Sequence, residues 1–133
     1  MQFRGGLTAC SAVLIWGMSN IAVAQAPQQF TGIAAYYSTD YSGRTARGDR
    51  YDPEKFTAAH RTLPFGTRLR VSDPRSQRSV VVVVNDRGPF SKGRVLDLSL
   101  AAAKVLRMTG RGLLKVTAVA EPDAKFTTAT TKP

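Results

Sequence analysis

Val80 to Val84 form an uninterrupted apolar run, and five β-branched residues in succession predict a strand covered on both faces. The run stops at Asn85-Asp86-Arg87-Gly88-Pro89-Phe90, where Gly-Pro forces a turn. Asp86 is therefore delivered to the rim of a sheet or barrel. Upstream, Thr67 to Val71 alternates Leu69 and Val71 against Arg68 and Arg70, the period of a half-buried strand, and residues 72–77 read as a hairpin loop. Gly32 to Tyr37, Arg94 to Leu98 and Leu113 to Ala120 give three more short strands. Ser99 has the chemistry of an N-cap for a helix reaching about Met108, with Ala101, Ala102, Val105 and Leu106 on its apolar face. Asp52-Pro53-Glu54 carries a second helix-start signature, and Leu63-Pro64-Phe65-Gly66 a turn. Short strands, many turns and one or two short helices predict a mainly β domain, closed into a small barrel because closure removes exposed edges.

The two ends of the chain follow different patterns. Arg4, the mostly apolar stretch Ala12 to Gly17 and the small-x-small triplet Ala22-Val23-Ala24 predict a cleavable export signal over residues 1–24. Leu7-Thr8-Ala9-Cys10 has the apolar segment on the wrong side for a lipid-attachment box, so no lipidation is expected. Cleavage near Ala24 removes the one cysteine, which leaves neither a disulfide nor a thiolate metal site. Residues 25–30 read as a polar lead-in, 31–120 as the barrel domain, and 121–133 as a disordered tail. No other segment is apolar enough to span a bilayer, so a soluble envelope or periplasmic protein without stable membrane insertion is expected.

Within its 133 residues the chain carries 19 Lys+Arg against 9 Asp+Glu, a formal net charge of +10. Such an excess draws anionic polymers. Export argues against intracellular nucleic acid, and the dispersed arginines lack the interleaved aromatics of a single-strand binder. One histidine and scattered aspartates give no metal-ligand spacing, so neither metal nor cofactor is expected.

Four ordered motifs narrow the choice. Gly32-x-Ala34-x-Tyr36-Tyr37, Thr57-Ala58-Ala59-His60-x-Thr62-Leu63-Pro64-Phe65-Gly66-Thr67, Asn85 to Phe90, and Arg94-Val95-Leu96-Asp97-Leu98-Ser99-x-Ala101-Ala102-Ala103 resemble the RlpA (rare lipoprotein A) family from about Gly32 to Val119. The resemblance implies a six-stranded double-psi β-barrel. For active members it also implies an endolytic peptidoglycan transglycosylase that works on glycan strands stripped of peptide, often at the division septum. The family's catalytic aspartate falls on Asp86, with supporting groups at Asp52 and His60. Where many members have Ser-Gly-Glu this chain has Arg47-Gly48-Asp49, and the shorter side chain withdraws the carboxylate by ~1.5 Å, a C–C bond length. No lipoprotein cysteine and no SPOR-type glycan-binding segment are read beside the barrel.

A hydrolase of sugar chains ordinarily uses two carboxylates. A lytic transglycosylase instead uses the muramoyl 6-hydroxyl as nucleophile, so one carboxyl group serves as acid and then base and the product is a 1,6-anhydro sugar. On this reading Asp86 is the acid, partly desolvated at the end of the valine strand, while His60, Asp52 and Asp49 orient or tune. Tyr36 and Tyr37 offer a flat face for a sugar, one of the two being core, with Arg87 and Asp97 as further substrate contacts. The expected partners are peptidoglycan glycan strands and, beyond them, cell-division or envelope proteins, met by a monomer. The competing reading is a non-catalytic polysaccharide-binding barrel of the expansin type.

Overall fold

The computed structural model describes residues 28–122 and the isolated positions 2, 5, 6 and 17; the expected cleavage site, Cys10 and residues 123–133 lie outside the described residues. Six strands, β1 (Gln29–Tyr36), β2 (Thr57–Ala59), β3 (Arg68–Ser72), β4 (Ser79–Asp86), β5 (Arg94–Leu98) and β6 (Leu114–Glu121), close in the order β1-β5-β2-β4-β3-β6. Two pairs, β1 with β5 and β2 with β4, are parallel and the other four antiparallel, giving the six-stranded double-psi barrel that the motifs imply. β1 begins at Gln29, because Phe30 pairs with Ala118 of β6 and packs against the core. β6 likewise runs on to Glu121, which pairs with Arg68 and is bound by Arg70 at 2.6 Å.

Strand alternation sends one residue in two into the barrel. Ala34, Ala58, Leu69, Val71, Val80, Val82, Val84, Leu96, Leu98, Val116 and Ala118 meet there, nearly all of them fully buried. The valine strand is thus less enclosed than its composition suggests. Val81 and Val83 point outward and are only half-buried, opposite Arg70 and Arg68 of β3 in the register.

One helix, α1 (Leu100–Val105), plugs the barrel through Ala102, Ala103, the capping Leu106 and Met108. Ser99 caps it as expected, its Oγ accepting the Ala102 N–H. The helix ends before Met108, however, because Arg107 turns to φ 53° and the N–H groups of Arg107 and Met108 bond Lys104 O and Ala103 O, a Schellman-type closure. Val105, expected on the apolar face, is 40% exposed, and Ala103 takes its place. The second helix signature makes only a turn: Asp52 Oδ1 accepts the Glu54 N–H at 2.9 Å and no helix follows.

Gly32 lies against Val95 of β5 so closely that a Cβ there would sit 2.5 Å from Val95 Cγ1 and 2.7 Å from Cγ2. A β-branched neighbour has little freedom to withdraw. Gly32→Ala is expected to destabilise by ~1–3 kcal/mol, lowering Tm by roughly 4–8 °C per kcal/mol for a domain of this size. Adding Val95→Ala should recover part of the loss in thermal denaturation; no recovery would remove the contact as the cause.

Candidate functional site

Period-two alternation makes Asn85 and Asp86 part company at the end of β4. Asn85 follows Val83 to the outer wall, and Asp86 follows Val82 and Val84 to the mouth of the barrel. A half-buried carboxylate needs partners, and three donors converge on it. Oδ1 accepts the backbone N–H groups of Ala46 at 2.7 Å and Arg87 at 2.8 Å, while Oδ2 accepts the Tyr37 hydroxyl. The next turn has Gly88 at φ 123° and a cis Gly88–Pro89 bond, and Phe90 after it is 83% exposed.

Tyr37 is held as firmly as the carboxylate it serves. Its ring stacks on Tyr51 (centroids 4.5 Å apart, 29°) and meets Tyr41 at 5.2 Å, and the Tyr51 hydroxyl accepts the Leu100 N–H at 3.1 Å. Burial, then the bond and charge of Asp86, then Asp97 and Tyr41, push the Tyr37 phenol above its ordinary range, so it remains a donor. Of the two tyrosines, Tyr36 is the one packed on the core, with its hydroxyl donating to Thr109 O at 2.7 Å.

The remaining sequence-derived candidates fall in separate places. His60 follows β2, and its N–H donates to Asp86 O at 3.1 Å. Its Nδ1 accepts the N–H groups of Thr62 and Leu63, both at 3.1 Å, and its ring lies 5.1 Å from Phe30. That ring borders a cleft of about 500 Å³ walled by Phe30, Arg61, Leu63 and Val95. Asp49 and Asp52 share a different cleft of about 680 Å³ along the outer wall of β4. Asp49 is 62% exposed and 3.7 Å from Arg47. Among the described residues no hydrogen bond joins the side chains of Asp86, His60, Asp52 and Asp49, and no cluster of His, Cys, Asp or Glu could hold a metal.

Arg87 and Asp97 are engaged within the protein. The Arg87 guanidinium donates to His60 O (3.2 Å) and Leu63 O (2.8 Å) and lies 4.0 Å over the Phe65 ring. Asp97 accepts from Arg94 at 2.5 Å. Sequence reasoning passed over Tyr51, the Ala46 N–H and Arg61, which clamps the β4–β5 loop through Pro89 O, Ser91 O and Arg94 O. Tyr41 and Tyr51 inside an otherwise polar loop were a usable signal, since such aromatics seek burial. A backbone donor leaves no mark in sequence.

Residues 29–118 match the family described as "Lytic transglycolase". The "Probable endolytic peptidoglycan transglycosylase RlpA" of Nostoc sp. is 58% identical over 90 residues, 65% of this chain and 24% of that protein. The "Endolytic peptidoglycan transglycosylase RlpA" of Pasteurella multocida is 48% identical over 83 residues, 62% of this chain and 28% of that protein. The chain thus spans about a quarter of the length of these curated relatives. Among solved structures, the Streptomyces papain inhibitor superposes with a TM-score of 0.60 at 26% identity, covering 74% of this chain and 98% of its own. An apo expansin of Clavibacter michiganensis gives 0.57 at 23% identity, over 72% of this chain and 52% of its own, a likeness of fold. Among the described residues no helix is long and apolar enough to cross a membrane.

Burial, with the Arg87 and Arg61 charges adding to it, holds the His60 imidazole below its ordinary 6.5. As pH falls, the unfolded chain therefore takes up the proton first, and stability fully present above about 6.5 declines below it. The Tm of the wild type should drop between pH 7.5 and pH 5.5 by more than that of His60→Asn, which keeps an acceptor near Nδ1 but cannot titrate. Equal drops would place the acid sensitivity elsewhere.

Proposed function

The chain belongs to the lytic transglycolase family and is RlpA-like, and on that premise we propose that it is an endolytic peptidoglycan transglycosylase acting on peptide-stripped glycan strands. The observation that carries the reading is the asymmetry of Asp86. Oδ1 is committed to two backbone N–H groups, so a proton on this carboxyl group resides on Oδ2, where Tyr37 is the single partner among the described residues.

In the acid form Oδ2–H donates to the bridging oxygen as the muramoyl C1–O bond breaks. The muramoyl 6-hydroxyl then attacks C1, its proton passes to Oδ2, and the 1,6-anhydro ring closes with Asp86 restored. Tyr37 keeps Oδ2 aimed throughout, which is positional catalysis as much as proton transfer. Asp49 and Asp52, in the outer cleft, bind sugar hydroxyls beside the reacting ring, and His60 supports the Asp86 backbone. Export to the envelope, where the substrate lies, belongs to the same reading and rests on the residue 1–24 pattern.

A non-catalytic polysaccharide-binding role is favoured by one observation: Asp86 borders neither of the two clefts described above. Digestion separates the two readings. Wild-type protein on amidase-treated sacculi should release fragments with anhydromuramoyl ends, read by mass spectrometry, and Asp86→Asn should lower the rate by about 10²–10⁴-fold, the scale of a lost general acid. Equal turnover by both would move the chemistry elsewhere. Wall binding without products from the wild type would establish the binding role.

A further inference from the structure

The outer cleft gathers Arg44, Arg47, Arg50 and Lys55 against Asp49 and Asp52. Four cations there face two carboxylates, of which Asp49 lies 3.7 Å from Arg47 and Asp52 accepts the Glu54 N–H on Oδ1 at 2.9 Å. Arg44 in turn donates to Gly48 O at 3.1 Å. Arg50 and Lys55 remain, with no carboxylate in ion-pair reach among the described residues. An antiparallel bridge sets Arg44 opposite Arg50, which brings like charges to neighbouring positions in the loop. Beside them Phe56, 47% exposed, supplies a flat apolar wall.

Surplus positive charge around an aromatic face suits a pyranose ring that carries a carboxylate. The position of the cleft suits it as well. Residues 44–50 cross the barrel rim, with the Ala46 N–H on Asp86 Oδ1 and the Arg47 N–H on Asn85 O at 3.3 Å. A polymer laid over that rim would touch the mouth and the outer wall together.

We propose that the outer cleft is a subsite for the free lactyl carboxylate of a peptide-stripped muramoyl residue, with Arg50 and Lys55 as its counter-charges and Phe56 against the sugar ring. The proposal rests on the glycan reading given above. A stem peptide turns that carboxylate into a neutral amide, which cannot form charge-assisted bonds with either cation. Discrimination between stripped and peptide-bearing strands then follows from the charge of one group.

The test compares muramoyl-containing glycan strands bearing free lactyl carboxylates with the same strands converted to the methylamide, titrated calorimetrically into full-length protein. Asp86→Asn is titrated beside the wild type, so that one of the two measurements is free of ligand consumption by cleavage. The carboxylate form should bind about 10-fold more tightly at low salt, the scale of one or two partly exposed charge-assisted bonds. Arg50→Gln with Lys55→Gln should bring the ratio near one, whereas Arg75→Gln with Lys115→Gln, two cations outside the cleft, should leave it unchanged. A ratio of one in the unsubstituted protein, or equal losses from the two double variants, overturns the subsite in favour of none or of bulk charge. A retained ratio without anhydromuramoyl products would sink cleavage and leave the subsite standing; cleavage with a ratio of one would do the reverse.

Discussion

The carboxylate of Asp86 holds this end of the barrel together. Its three donors come from the end of β1, from the middle of the following loop and from the residue next to it in the chain. Residues 37–56 form a connection longer than the ~12–15 residues that compact domains usually tolerate without regular structure. Internal bonds tighten that loop, among them Thr45 N to Asp49 O at 2.8 Å and Tyr51 N to Gly43 O at 2.9 Å. Its attachment to the barrel at Ala46, however, goes through a single charged acceptor. Removing the acceptor would leave two backbone donors and a half-buried phenol to find new partners, and unmade bonds of that kind are costly. The proposed chemistry and the loop architecture thus draw on the same oxygen atoms.

The aromatic layer behind that carboxylate explains why it can be aimed. Tyr37, Tyr41 and Tyr51 contact one another at centroid distances of 4.5–5.4 Å, and two planar rings per contact leave little rotational freedom. The phenol bound to Oδ2 is surrounded by negative charge from Asp86 and Asp97, which reinforces its role as donor. Arg94 offsets part of that charge from the Asp97 side. Arg87 is turned away from the mouth onto two carbonyls and the Phe65 ring, so the cation adjacent in sequence braces the neighbouring turn.

What could be read in the sequence divides along physical lines. Period-two alternation marked β3, the unbroken valine run marked β4 though not its half-exposed outer face, and the Ser99 cap fixed the helix start, because each depends on local chemistry. β2 went unread as a strand: three residues are too few to show a period, and its existence depends on β4 and β5 on either side. The helix end was overestimated because an arginine occupies the left-handed closing position where glycine is the usual signal. Asp86 was legible as a rim residue from the valine run and the Gly-Pro turn. Its separation from Asp49, Asp52 and His60 was not, since motif order says nothing about which wall of a closed barrel each side chain reaches.

That separation follows from the pleat. On β4 the inward face ends in Asp86 and the outward face in Asn85, so one residue of chain divides a carboxyl group at the mouth from a cationic wall outside it. The loop crossing the rim bonds both, through successive N–H groups at Ala46 and Arg47. Shifting β4 by one residue against β3 would reverse this arrangement and expose every buried valine, so the apolar core itself opposes it. Burial of Val80, Val82 and Val84 therefore fixes more than stability. It determines which group at the end of the strand faces the mouth of the barrel and which borders the charge-bearing cleft.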